Sequence, residues 1–264
     1  MTTSPAYFFV IHGSRNRKTK SAAFGLQQLI TSRIEFNDIV TQQDYLENNL
    51  LSSKSQMASM LNSPKILTEV AALELAPLAL NKSLVNFAQK VHLHGFSKIK
   101  VFPLFLAPGV HVQKDIPLEI SSAIKQIDNG VTVELSIFLG KYSGMVQLLA
   151  DKFSELSAQT RILVAHGSRL PKVDDYYEHL ADELNAKVAY WSKNPSISRQ
   201  IKDNIAVGKK RIAILPYFLF PGKITNEIAA EVASLQIEYP DVELILGQPL
   251  GTTEALAELI AKEI

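Results

Sequence analysis

The sequence predicts an α/β protein built as two similar doubly wound parallel-sheet domains. Three observations predict it. Apolar runs rich in β-branched and aromatic residues alternate with helical patterns, the order of parallel sheets covered on both faces. Phe8-Phe9-Val10-Ile11-His12-Gly13-Ser14-Arg15 recurs as Ile162-Leu163-Val164-Ala165-His166-Gly167-Ser168-Arg169. Phe102-Pro103-Leu104-Phe105-Leu106-Ala107-Pro108-Gly109 recurs as Leu215-Pro216-Tyr217-Phe218-Leu219-Phe220-Pro221-Gly222, and Phe138-Leu139-Gly140 as Pro249-Leu250-Gly251. One unit is therefore present twice, in residues 1–158 and 159–264, each with four strands.

The run Phe8 to Ile11 reads as a strand buried on both faces, and Gly13 allows a tight turn after His12. The histidine then sits at the carboxyl end of a central strand, where open α/β sheets place ligands. A basic turn follows (Arg15, Asn16, Arg17, Lys18, Lys20). Next comes a helix over 21–33, with Ala23, Leu26 and Ile30 on one face. The polar stretch 42–64 has no counterpart in the second unit and reads as an insert, with a short helix at 45–51 or 57–61.

A strand over 66–75 carries Glu74, and a helix over 82–93 ends at Gly95. A strand over 98–106 runs into a loop through His111. Asp115 then reads as the N-cap of a helix with Pro117 in its first turn. A strand over 131–137 and a helix over 143–156 complete the unit. The second unit repeats the order, with strands at 162–165, 187–191, 211–219 and 242–246 and helices at 173–184, 198–207, 226–235 and to the end.

Composition narrows the chemistry. With 264 residues, 47% hydrophobic and 20% charged, the chain has material for a large core. A net charge of +1 excludes the strong basic excess of a general nucleic-acid binder. There is no cysteine, so any metal must be held by histidine and carboxylate. The N-terminus lacks the pattern of a signal peptide, and no apolar run approaches the roughly 20 residues of a membrane span. A soluble cytoplasmic protein, monomer or homodimer, is expected.

His12-Gly13-Ser14-Arg15, Leu73-Glu74-Leu75-Ala76, Pro103-Leu104-Phe105-Leu106, Gly109-Val110-His111 and Asp115-Ile116-Pro117 together resemble the class II chelatases of the CbiX/SirB type. These enzymes insert a divalent metal into sirohydrochlorin without ATP. With the second copy, the resemblance covers nearly the whole chain outside 42–64. It implies a metal site in the cleft between the halves, in which His12 and His111 are the paired histidines and Glu74 the acid, as both ligands and catalytic groups. It also implies no permanently bound cofactor, with Fe2+ or Co2+ as substrate.

The reaction needs such groups. Two pyrrole N–H protons leave as the metal enters, and neutral imidazole both suits these metals and accepts protons near neutral pH. The macrocycle carries acetate and propionate arms, so Ser14, Arg15, Arg17, Lys18, Lys20 and Lys114 are the expected rim around them. No P-loop motif is present.

The second unit keeps His166, but an ungapped alignment puts Ile224 opposite His111, and Tyr190-Trp191-Ser192 opposite the Glu74 region. One site per chain, on the first unit, is expected, with Trp191, Tyr217 and Phe220 as stacking candidates on the facing wall. His92 and His94 read as a solvated helix end, and His179 as a surface residue.

The expected activity is that of a sirohydrochlorin ferrochelatase, a lyase making sirohaem. The alternatives are a cobaltochelatase of cobalamin biosynthesis and a non-catalytic tetrapyrrole or metal carrier. A hydrolase or phosphatase reading of His-Gly-Ser lacks both a preceding arginine and a Gly-x-Ser-x-Gly elbow.

Overall fold

The computed structural model describes residues 5–49 and 66–264. Two four-stranded parallel sheets are formed. The first runs β2-β1-β3-β4, with β1 Ala6–Ile11, β2 Thr68–Ala72, β3 Lys98–Pro103 and β4 Thr132–Leu135. The second runs β6-β5-β7-β8, with β5 Thr160–Ala165, β6 Lys187–Tyr190, β7 Arg211–Pro216 and β8 Glu243–Leu246. The helices between them are α1 Arg17–Asn49, α2 Leu80–Leu93, α3 Ile116–Ile124, α4 Met145–Glu155, α5 Pro171–Glu183, α6 Ile197–Ala206, α7 Lys223–Glu238 and α8 Glu254–Glu263.

The period of two along the central strands decides where the layers go. Phe8 and Val10 face outward onto Leu84 and Phe87 of α2 and Ile120 of α3. Tyr7, Phe9 and Ile11 face inward. There they join Leu26 and Ile30 of α1, Leu149 and Phe153 of α4, Leu163 and Ala165 of β5, Tyr177 of α5 and Ile260 of α8. Ile162 and Val164 face the other way, onto Ile201 of α6 and Ile228 and Val232 of α7. The two sheets therefore share an inner core, and each has an outer core of its own. The first sheet's last helix ends at Glu155 and the second sheet opens at Thr160.

Hydrogen bonds tie the halves together as well. Tyr217 donates from Oη to the Leu106 carbonyl at 3.0 Å, and Tyr176 donates to the Gly140 carbonyl at 2.7 Å. Arg33 pairs with Glu254 at 2.8 Å.

The structure corrects several sequence expectations. The first helix starts four residues earlier than Ser21, because Asn16 caps it: its Oδ1 accepts the Lys18 N–H at 2.9 Å. Arg17, Lys18 and Lys20 thus stand on the first turns of α1 rather than in a loop. The same helix continues to Asn49, so the start of the expected insert is helical, while 57–61 lies outside the described residues.

Strand β2 is shorter than 66–75, but its hydrogen-bonding continues beyond Ala72. The N–H groups of Leu73 and Glu74 donate to the carbonyls of Ile11 and His12, at 2.8 and 2.9 Å. His111 is not in a loop; it opens a π turn, His111–Asp115, that feeds α3. Asp115 does not cap α3: it is itself helical and makes no side-chain bond to the helix N–H groups.

Candidate functional site

The order β2-β1-β3 fixes where the site lies. The chain leaves β1 for a neighbour on one side and later returns on the other, so the connections diverge at the carboxyl ends of β1 and β3. That divergence opens the crevice used by doubly wound sheets. His12 follows β1, Glu74 follows β2 and His111 follows the β3 loop, so all three elements deliver one residue to the same edge.

The three side chains meet. One ligand atom from each of His12, Glu74 and His111 lies within 4.8 Å of the other two, and among the described residues this is the one group of its kind. Two donors at about 2.1 Å from one ion stand no more than about 4.2 Å apart, so small side-chain rotations suffice to bring the three onto one metal. The histidine rings stand edge to face, centroids 4.9 Å apart at 83°. Phe105 packs near both, at 6.3 and 6.1 Å, and gives the pair an apolar flank. His12 and Glu74 are exposed and His111 is half-buried, so an arriving ion and a flat ligand both have access.

Each ring has one nitrogen occupied. Nδ1 of His111 lies 2.8 Å from Asp115 Oδ2, and Nδ1 of His12 lies 3.3 Å from its neighbour's carbonyl, Gly13 O. Both partners are acceptors, so in the neutral ring the hydrogen belongs on Nδ1 and the lone pair on Nε2. Two imidazoles and a carboxylate form a donor set suited to divalent iron or cobalt.

The residues expected at the rim differ in their surroundings. Arg15, Arg17, Lys18, Lys20 and Lys114 are all exposed, and among the described residues none makes an ion pair. Ser14 is engaged in the turn, where its Oγ accepts the Asn16 N–H at 3.0 Å. A hollow of ≈ 210 Å³ lies beside the site, lined by Gly13, Ser14, Lys20, Leu75 and Pro77 among others. A second, of ≈ 280 Å³, is lined by Glu74, Asp115, Leu118 and Glu119. A roomier hollow of ≈ 330 Å³ opens at the starts of β5 and β6, around Thr160 and Lys187, remote from the histidines. Size alone does not locate the chemistry here.

The second half carries the same turn without the ligands. Ser192 N–H donates to the His166 carbonyl at 3.1 Å, as Glu74 does to His12, so Ser192 is the structural counterpart of Glu74. Ile224, the match to His111, lies at the start of α7. His166 packs 5.2 Å from Trp191, whose Nε1–H donates to Glu227 at 3.1 Å.

Of the stacking candidates, Tyr217 is excluded. It is buried, and its hydroxyl donates to the Leu106 carbonyl and lies 3.2 Å from the Tyr176 oxygen, because its face is where the two halves meet. Phe220 packs partly buried against the inner core, while Trp191 is more than a third exposed. His92 and His179 are exposed and His94 closes α2, as expected. The contact missed in the sequence is His111 to Asp115. Its signal was the spacing of four residues, overlooked because Asp before Ile-Pro looks like a helix cap.

Comparison with known proteins identifies the family. The family model described as CbiX matches residues 49–156 and again 160–264. The sirohydrochlorin ferrochelatase of Priestia megaterium is 26% identical over 209 residues, covering 74% of this chain and 76% of its own. The sirohydrochlorin cobaltochelatase of Methanopyrus kandleri is 24% identical over 132 residues, covering 39% of this chain and 92% of its own. Among solved structures, SirB from Bacillus subtilis with Fe3+ superposes with a TM-score of 0.68 at 20% identity, over 98% of this chain and 94% of that one. That likeness shows the fold, and the doubled family match spans most of the sequence: the chain belongs to the CbiX family.

Proposed function

We propose that the protein inserts Fe2+ into sirohydrochlorin, giving sirohaem and releasing two protons. The observation that carries the reading is the convergence of His12, Glu74 and His111 at the carboxyl ends of three neighbouring strands. The relative matched over most of both chains is named a ferrochelatase, which favours iron; the cobaltochelatase relative matches less than half of this chain.

In this reading the metal is a substrate. Nε2 of His12, Nε2 of His111 and a Glu74 oxygen hold it on one side of the macrocycle. As the four ring nitrogens take the metal, two N–H protons must leave. The imidazole nitrogens and the Glu74 carboxylate, released from the metal, are the acceptors within reach. The exposed position of Glu74 gives the protons an exit to solvent.

Residues 1–158 carry the reaction, and residues 159–264 supply the opposite wall of the cleft. Arg15, Arg17, Lys18 and Lys114 receive carboxylate arms. Ser14, whose oxygen is used by the turn, still has its O–H to donate to one. No described helix is long and apolar enough to cross a membrane, which fits a protein acting on a water-soluble, polycarboxylate substrate.

The test is anaerobic incubation of the purified protein with sirohydrochlorin and Fe2+ or Co2+, followed by the absorbance change of the macrocycle. Insertion faster than in the protein-free control is the expected result. Bound sirohydrochlorin with no acceleration for either metal would replace the enzyme reading with that of a carrier. A rate with Co2+ well above that with Fe2+ would favour the cobalt reading.

A further inference from the structure

Asp115 has no structural task in the helix it precedes. Its carboxylate caps nothing, and among the described residues its one side-chain partner is His111, with Oδ2 2.8 Å from Nδ1. A carboxylate only accepts, so this contact puts the ring hydrogen on Nδ1 and leaves Nε2 as the donor atom for a metal. The π turn brings the two side chains, four residues apart, onto one side of the backbone. Among the described residues, the hydrogen-bond contact of His12 is the longer one of 3.3 Å, to a carbonyl on its own turn. His111 is therefore held in place before a metal arrives, and His12 is the adjustable partner.

The second half offers an internal comparison. The positions that match His111 and Asp115 are Ile224 and Ile228, so ligand and support are missing together.

We propose that Asp115 is a positioning residue: it fixes the tautomer and the aim of His111, and through them the affinity of the metal site. The inference rests on the metal-site reading of His12, Glu74 and His111. Outer partners of ligating histidines contribute about 10–100-fold to metal affinity in general.

The experiment uses the full chain, with Co2+ alone as the probe, titrated by its visible absorption. It is paired with long-range ¹H–¹⁵N NMR of the metal-free protein to read the His111 tautomer. The wild type should bind Co2+ and show the Nδ1–H tautomer. His111→Ala should lose binding. Asp115→Ala should bind about 10–100-fold more weakly and shift His111 toward the Nε2–H tautomer. Asp115→Asn, whose amide oxygen still accepts a hydrogen bond, should recover part of the loss.

An unchanged affinity or an unchanged tautomer in Asp115→Ala, with binding lost in His111→Ala, would overturn the positioning role alone. Wild-type affinity in His111→Ala would overturn the metal-site reading first. Asp115 is partly exposed and takes part in no core packing, and the NMR spectrum of each variant reports directly that it is folded.

Discussion

Gly13 lies against the backbone of Glu74: a Cβ at Gly13 would stand 2.0 Å from the Glu74 carbonyl oxygen. The turn that presents His12 is thus also the wall that places Glu74, and the Glu74 N–H closes the pair by donating to the His12 carbonyl at 2.9 Å. Gly13 has φ +106°, where a side chain is strained in any case.

Gly13→Ala should therefore cost about 2 kcal/mol or more and displace Glu74, with a large loss of metal insertion. Gly95 is the control. Its φ is +81°, but a Cβ there meets nothing within 4 Å among the described residues. Gly95→Ala should cost about 1 kcal/mol and leave activity intact. Urea denaturation and insertion rates read both; equal loss of activity in the two variants would argue against the shared wall.

The histidines should separate by half. His12→Ala and His111→Ala should each reduce insertion to the uncatalysed rate, since each removes one of the three proposed ligands. His166→Ala should keep most of the activity, because Ser192 and Ile224 leave that turn without a second donor. Macrocycle absorbance with each variant is the readout, and a loss in His166→Ala equal to that in His12→Ala would disprove a single site per chain.

The basic rim should act on binding more than on chemistry. Arg17 and Lys18 stand exposed on the first turn of α1, in no ion pair among the described residues. Exposed charges are screened over about 10 Å at 0.1 M salt. KM for sirohydrochlorin should rise with ionic strength while kcat stays level. The double change Arg17→Glu and Lys18→Glu should raise KM roughly tenfold and flatten the salt dependence. A change in kcat with KM unmoved would place these residues outside substrate capture.

What the sequence shows well is what local pattern determines. A strand buried on both faces must be apolar at every position, so β1 and the histidine after it were legible, and the repeat gave the second sheet at once. Residues whose partner is distant in the chain were not. Tyr217 resembles a ligand-facing aromatic until the other half is placed over it, when its hydroxyl proves to bond Leu106. The length of α1 was hidden because its apolar spacing fades after Ile34, where Phe36 is exposed. Glu74, His12 and His111 were legible as a set only through the family's motif, since nothing local in 66–75 says which backbone it will lie against.

Buried tyrosines make the last prediction. Burial raises the hydroxyl pKa of Tyr142, Tyr176, Tyr177 and Tyr217 above the ordinary value of about 10. Below pH about 10 both folded and unfolded chains keep these protons, so stability is flat with respect to them. Above it the unfolded chain loses protons that the folded chain still holds, and stability falls by up to about 1.4 kcal/mol per pH unit for each tyrosine.

Tyr142 and Tyr217 should then respond oppositely to loss of the hydroxyl. The Tyr142 oxygen is buried with no hydrogen-bond partner among the described residues, so Tyr142→Phe should raise stability at neutral pH by about 1 kcal/mol and make the alkaline decline shallower. The Tyr217 hydroxyl donates to the Leu106 carbonyl, which would be left without that partner, so Tyr217→Phe should lower stability at neutral pH by about 1–2 kcal/mol. It should also make the alkaline decline shallower, because it too removes a proton held only by the folded chain. Guanidinium denaturation from pH 7 to 11 measures both effects, and a destabilised Tyr142→Phe would show that its hydroxyl has a partner after all.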